Sequence, residues 1–525
     1  GVGYRDVGLL KTGGLLRAPA DGSPVRVPLF ADDNRTQLGT GFRELTADGR
    51  LVFKPNKKTR LTLAYYDYRQ FDAPRTDKCP PATAPVGECL RYENQNRTLV
   101  YTSLDRRSKS AAASRVQWSL SYQNQHERRH HEYGAERGFD NYGLDNVHAF
   151  GTALRLRTKT FSLTPWLQTS VTYGVDGYLD RIASRAWTTF TDTAEPIDVE
   201  RPRGQYVDGS YYLTSGLWTK GQMVFGGHFG VHAGARGALV MARAPEVLEV
   251  TSRAVTRQWG AAVGNTGMSL KTVPWLTLLA NFDQGFRAPN LDDLTSRQQV
   301  GAGFQLENAE LDPERSRSLE AGFRLEHPWI QASMFGFVTT IDGMIGRTQG
   351  LCPSNTGDGC GEAGVVLQLT NLDGRSRIRG FDGQVRVFFP AGFSLRSTIA
   401  YAHGQGPNPI AGAAEATAPL SRVPPLNGTH EVSWRSARYG LYAAAGMRWA
   451  VLQDRLAFAD IHDVRIPEGG TPGYAVVDLR AGYRFDPYVL VALVFENIAD
   501  TAYRYHGSSV NGPGRGLNVH LALGF

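Results

Sequence analysis

Apolar and polar residues alternate with a period of two from one end of the chain to the other. Val116, Trp118, Leu120 and Tyr122 alternate with Gln117, Ser119, Ser121 and Gln123. Leu319, Ala321, Phe323 and Leu325 are interleaved with Ser318, Glu320, Gly322, Arg324 and Glu326. The same rhythm runs through 475–485 and through Leu517, Val519, Leu521, Leu523 and Phe525. Successive residues of a strand face opposite sides of a sheet, so each of these strands has one apolar and one polar side. A soluble sandwich also alternates. Here the polar side carries Glu320, Arg324 and Arg480, which suits a wet lumen, and Trp, Tyr and Phe punctuate the apolar side near strand ends, as an interfacial girdle would.

The connections between strands fall into two lengths. Tight ones occur at 485–488, 326–329, 390–392 and 272–274. Long polar, Gly/Pro-rich ones occur at 71–93, 176–207, 288–314, 343–361, 404–426, 453–470 and 499–515. Short turns at one end and long loops at the other predict an all-β fold: a transmembrane antiparallel β-barrel of roughly 20–22 strands with short periplasmic turns and long extracellular loops. No fixed-period repeat and no single linker divides the chain, so one barrel is expected over residues 1–525.

Composition narrows the alternatives. The 525 residues include 59 glycines, 22 tyrosines, 24 phenylalanines and 9 tryptophans, with 20% charged side chains, which fits neither a coiled coil nor a disordered chain. The best apolar run, Tyr488 to Phe495, falls far short of the roughly 20 residues a spanning helix needs. The net charge of +7 is scattered along the chain. No basic stripe marks a nucleic-acid interface, and no nucleic-acid partner is expected. Cys79 and Cys89, and Cys352 and Cys360, each flank a turn-rich segment and are expected to form two local disulfides in an oxidising compartment.

Several boxes then resemble one family. Phe286-Arg287-Ala288-Pro289 closes a strand, and Glu307-Asn308-Ala309-Glu310-Leu311-Asp312-Pro313-Glu314 follows about 20 residues later. The pair resembles the FRAP and NPEL boxes of TonB-dependent outer-membrane receptors, with Ala309 where the family usually has Pro. Further matches follow in family order: Asp72 to Asp77, Ile378 to Asp382, Val423 to Asn427, Phe495 to Asp500 with Tyr503 and Tyr505, Gly514-Arg515-Gly516, and the terminal aromatic Phe525. The resemblance covers nearly the whole chain. It implies an outer-membrane location in a Gram-negative bacterium and active uptake of a scarce nutrient, with a ferric siderophore as the default. It also implies a plug domain and TonB box, coupling to the TonB–ExbB–ExbD complex, contact with outer-membrane lipid, an iron-bearing small-molecule ligand and a monomer. Gly1 to Gly8 reads as an early barrel strand, so the plug and the first strands are expected in a missing segment or a separate chain.

The boxes Arg287 and Asn308–Glu314 are expected to shape a loop, with ligand contact as the second reading. His126, His130 and His131, within His126-Glu127-Arg128-Arg129-His130-His131-Glu132, are the densest ligand candidates and are expected at a strand end or loop. A solvated mixed-charge loop is the plainer reading of them. Haem uptake is the alternative within the family, beside cobalamin. Residues 290–307, between the two boxes, hold no histidine, which counts against haem. A surface adhesion barrel is a further alternative. No GxSxG or Walker A signature occurs, and no enzyme, resident cofactor or metal site is expected.

Overall fold

A computed structural model describes the chain apart from residues 80–87, 134–136, 249–252, 301–302, 353–359, 361–364, 411, 486–487 and 525. The Phe525 expectation therefore lies outside the described residues. Twenty strands form an antiparallel meander, each paired with the next. They are β1 Val2–Val7, β2 Phe42–Asn56, β3 Thr59–Pro74, β4 Glu88–Arg107, β5 Arg115–Tyr133, β6 Phe139–Arg157, β7 Leu167–Phe190, β8 Tyr211–Phe225, β9 Phe229–Ala244, β10 Val255–Val273, β11 Leu276–Arg287, β12 Glu314–His327, β13 Ile330–Asp342, β14 Arg375–Phe388, β15 Phe393–Pro407, β16 Asn427–Arg435, β17 Leu441–Ala450, β18 Tyr474–Arg484, β19 Val489–Glu496 and β20 Gly516–Leu523. With three short pieces the sheet has 23 strands. Among the described residues no ladder joins β20 to β1, and both are exposed on both faces.

The alternation seen in the sequence becomes an inside and an outside. Register runs unbroken across β12 and β13, placing Phe282, Leu319 and Val338 side by side, and Leu278, Phe323 and Met334 below them. This apolar side is the open one. Leu319 is 58% exposed, Leu217 68% and Met268 55%. The polar side turns inward, where Asn281 donates to Glu320 and the Ser318 and Thr339 hydroxyls meet at 2.7 Å. A soluble protein rarely leaves so much contiguous apolar surface bare; a barrel in lipid must. At the short-turn end, Trp166, Trp275, Trp329 and Tyr488 are all exposed and form the girdle. Trp166 stacks on Phe225, which in turn packs on Phe229. No helix is long and apolar enough to cross a membrane, which bears only on helices.

Two expectations about connections need correction. The strands run further than the loop boundaries allow. β3 continues to Pro74, β4 resumes at Glu88, and β7 reaches Phe190. A membrane needs about 9–11 strand residues, whereas β7 has 24, so the excess stands above the apolar belt as an extended sheet. The second correction is a long connection between β1 and β2, over residues 8–41, on the long-loop side. Its signal was its own glycines and prolines. It also contains the small pair Leu10–Lys11 and Thr36–Gln37. A separate four-stranded sheet lies among the long loops, built from Gln298–Val300, Gly303–Leu306, Val366–Asn371 and Ile345–Gln349.

Met268 lies about five residues from its short turn, which places it roughly half-way up the apolar band at ~3.3 Å per residue and ~45° tilt. Met268→Arg is expected to cost about 2–4 kcal/mol of folding stability in a bilayer. The lumen-facing Glu320→Gln should stay within about 1 kcal/mol. Urea unfolding in lipid vesicles measures both.

Candidate functional site at the long-loop mouth

Strand β11 ends where Pro289 removes a ladder donor. Asn290 then caps the short helix α1, Leu291–Thr295, with a reciprocal bond: its Oδ1 accepts from Asp293 N at 2.8 Å, and Asp293 Oδ2 accepts from Asn290 N at 3.1 Å. Arg287 faces inward just before this turn. Its guanidinium reaches Asp293 Oδ2 at 2.6 Å and Glu314 Oε2 at 3.3 Å. It thus ties the end of β11, helix α1 and the start of β12 together, closing both ends of the 288–313 loop. Glu314 carries the tie onward, its Oε1 accepting from Ile345 N at 2.7 Å.

The second box is held by a residue that local sequence does not flag. Arg257, on the inward side of β10, donates to Ala309 O (3.2 Å), Glu310 Oε2 (3.1 Å), Leu311 O (3.3 Å) and Asp312 Oδ1 (3.0 Å). Its planar fork suits four convergent acceptors. They lie 52 to 55 residues away, so spacing gave no hint of the contact. Asn308 bonds Leu369 O at 2.8 Å and accepts from Glu310 N at 2.9 Å. Apolar residues of both boxes and of α1 go inward: Ala288, Leu291, Leu294 and Leu311 pack with Val255 and Trp259 inside the mouth. Leu294 and Leu311 are 0% and 1% exposed, worth about 1.5–3 kcal/mol each.

Beside this core lies a cavity of about 420 Å³, lined by Arg203, Arg253, Arg297, Glu307, Glu310 and Gln368 among others. Three arginines face two glutamates there. Glu307 is engaged by Arg297 at 3.3 Å and Glu310 by Arg257. Arg203 donates to Gln205 O at 3.0 Å and to Thr295 O. No ion pair to Arg253 occurs among the described residues, and its side chain is exposed. Nearby, Arg347 bonds Gln305 Oε1 at 3.1 Å. Burial lowers its pKa, and the charges of Arg465 and Arg422 push the same way against Asp292 and Asp463.

The comparisons with known proteins fit this architecture. The family model described as TonB dependent receptor-like, beta-barrel matches residues 25–498. The chain belongs to the TonB-dependent receptor family. Among solved structures, the copper transporter OprC aligns with a TM-score of 0.76 at 14% identity, covering 99% of this chain and 75% of that one. A double mutant of the Serratia marcescens haemophore receptor HasR, solved with its haemophore HasA and haem, aligns at 0.70 and 15%, covering 99% and 75%. The ferric citrate transporter FecA aligns at 0.66 and 15%, covering 92% and 70%. At these identities the likeness establishes the fold. A search of curated proteins finds no match to the chain.

Within this TonB-dependent barrel, the penultimate box is a packing hub. Asn497, fully buried at φ +46°, donates to Thr501 O (2.8 Å) and Pro513 O (2.9 Å) and accepts from Thr501 N (2.9 Å). The 8–41 connection docks on it. Gln37 and the Asn511 backbone exchange two hydrogen bonds, and Gly13 sits so close to the Asp500 carbonyl that any Cβ would collide with it. Arg504 is buried here with Asn511 Oδ1 and the carbonyls of Arg465 and Val27. Burial lowers its pKa to about 10.

The histidines lie toward the end of a strand, and they do not form one group. All three lie inside β5, because that strand continues above the apolar belt. His126 and His130 share the outward side with Trp118 and Tyr122, while His131 points inward. His126 bonds Asn146 at 2.9 Å. His130 bonds Asp140 at 3.0 Å and stacks on Tyr142, itself stacked on Trp187. His131 bonds Glu88 at 2.7 Å. The stretch also spells H-E-x-x-H, but that zinc motif needs a helix to bring its histidines onto one site. On a strand they stand roughly 13 Å apart, with Glu127 on the other face. Among the described residues no group of three His, Cys, Asp or Glu side chains is placed to hold a metal.

Glu88 joins His131 and Lys78 beside the Cys79–Cys89 bridge, and Cys352 is joined to Cys360 in a later loop. Burial works to raise the Glu88 pKa, but the His131 hydrogen bond and the Lys78 charge outweigh it and hold it down to about 2. A depressed carboxylate stabilises the fold above its unfolded pKa. That contribution is lost as pH falls from about 4.5 toward 2. The amides of Arg75, Lys78 and Leu90, hydrogen-bonded to one another's carbonyls beside Glu88, are thus expected in the wild type to lose hydrogen-exchange protection, taken relative to an unstructured peptide at the same pH, over that window, while Glu88→Gln shows the lower protection already at pH 7. Arg287→Ala should weaken loop docking by on the order of 1 kcal/mol, the guanidinium being 45% exposed. Limited proteolysis should then cut within 290–313 several-fold faster, with Arg287→Lys falling between the two.

Proposed function

We propose that this chain forms the barrel of a receptor that takes up a scarce metal as an anionic chelate, a ferric siderophore or related ferric complex. Membership of the TonB-dependent receptor family implies a plug, interaction with TonB and a small-molecule ligand. The proposal adds the chelate's chemistry, working as a monomer with the TonB–ExbB–ExbD complex. We also propose that the plug belongs to a longer polypeptide or comes as a separate chain. Binding would occur at the long-loop mouth and release on the periplasmic side, the energy coming from pulling on the plug.

The observation that carries the reading is the cavity at the mouth. Its lining holds Arg203, Arg253 and Arg297 and, among the described residues, no His, Cys or Met. Haem iron and bare copper favour imidazole, thiolate or thioether ligands. A wrapped, negatively charged ferric complex needs only guanidinium donors and charge. The names of OprC and HasR point to copper and to haem; neither chemistry has a donor set in this cavity.

The test is uptake of radiolabelled iron in a strain lacking the gene, supplied with single chelates or with haem. Complementation should restore uptake from at least one anionic ferric chelate and none from haem. Arg253→Ala should weaken binding of that chelate about tenfold, the worth of one charge-assisted contact. Restoration by haem alone, or by no iron source, overturns the reading.

A further inference from the structure

The inner wall of β3–β6 is basic near the short-turn end. Register sets Arg107, Arg115 and Arg157 directly opposite one another across β4, β5 and β6. Arg115 has the parity of Gln117 and Ser119, opposite to that of the lipid-facing Trp118 and Leu120, so this rung points into the lumen. The next rung up joins Arg60, Asp105, Gln117 and Arg155. Asp105 is the one carboxylate on the two rungs, and it is taken: Arg115 Nε donates to it at 3.0 Å and Gln117 Nε2 at 3.3 Å. Arg60, Arg107, Arg155 and Arg157 are exposed and make no ion pair among the described residues. Like charges directly opposite each other in a ladder repel, so this wall holds charge that its own strands do not offset. Arg236 and Arg129, also inward, show the other arrangement, offset within the wall by Asp176 and Asp145.

A cavity of about 410 Å³ lies against this wall, lined by Arg50, Arg60, Tyr101, Asp105, Gln117 and Arg155 among others. It is remote from the mouth: Arg60 is the second residue of β3, and Arg107 and Arg115 bracket the short connection 108–114. Neighbouring strands are ~4.8 Å apart, so Arg60 and Arg155, three gaps from each other, spread the cations over about 14 Å. One small anion meets only part of that width; a surface carrying several carboxylates meets all of it. A domain seated in the lumen takes these guanidinium groups partly out of water. Burying an unpaired charge costs several kcal/mol, and forked Arg–carboxylate bonds offset that cost.

We propose that the inner wall of β3–β6 docks an acidic face of the plug, whose Asp and Glu side chains pair with Arg60, Arg107, Arg155 and Arg157. The inference rests on the proposal above that a plug occupies this barrel, and it adds the sign of charge on the plug surface that meets the short-turn end.

The experiment is carbodiimide cross-linking of the complete receptor with its plug, read by peptide mass spectrometry. Activated carboxylates couple to lysine in direct contact and not to arginine. Arg60→Lys and Arg155→Lys keep the charge, and each should gain a cross-link from the new lysine to an Asp or Glu of the plug that the wild type lacks. In cells, R60E/R155E should unseat the plug and raise sensitivity to vancomycin, which an intact outer membrane excludes, with R60Q/R155Q falling between it and the wild type. Heat-modifiable gel mobility reports folding, and if the reversed variant fails to fold, the two lysine variants still decide the question. The intact mass of the purified receptor shows whether a plug accompanies the barrel; a receptor without one overturns both readings. With a plug present, new cross-links confined to carboxylates of the barrel, no new cross-link at all, or a folded R60E/R155E variant as tight to vancomycin as the wild type each overturns this proposal alone.

Discussion

In hydrocarbon no water meets a backbone N–H or C=O, and each group left unpaired costs several kcal/mol. That constraint organises the whole molecule. Every strand of the meander from β2 to β19 is paired on both sides, so the backbone is satisfied in the plane of the sheet whatever the side chains are. The side chains are then free to answer to two solvents. One parity meets lipid with Leu319, Met268 and Leu217, and the other meets the lumen with Asn281, Glu320 and Ser318. A register slip of one residue anywhere would exchange the two environments. The period-two pattern is therefore the feature that specifies the fold.

Above the apolar belt the constraint relaxes, and the chain uses the freedom to build a mouth. Strands such as β5 and β7 continue upward with polar groups on both faces, because water is available on both. Their tops and the long loops are joined by a few arginines acting across large sequence separations. Arg287 ties one loop's two ends together, Arg257 gathers the carbonyls and carboxylates of the second family box, and Arg504 anchors the 8–41 connection. Guanidinium groups suit this work because one fork satisfies several loop acceptors at once.

The fold was legible because its signal is local and repeated. The alternation at 116–123 or 318–326 needs no partner to be read, and the short turns at 272–274 and 326–329 stood out by their prolines. The family boxes were legible as order along the chain. What lay hidden depended on distance. Nothing near Arg257 announces acceptors 52 to 55 residues on. The histidines of β5 misled for the opposite reason: 126–131 looks dense in sequence, yet a strand spreads it along its length and splits it between two faces. The tops of the long strands were misread as loops because a polar strand in water on both sides has lost the alternation that marks it.

The central claim is that one parity faces lipid and the other water. Single nitroxide labels placed at each position from 316 to 326 of β12, in the folded protein in a bilayer, read it most directly. Accessibility to oxygen, which partitions into lipid, should peak at 319, 321, 323 and 325. Accessibility to a water-soluble nickel chelate should peak at 320, 322, 324 and 326. Water accessibility at both parities, or the reverse phase, would contradict the account.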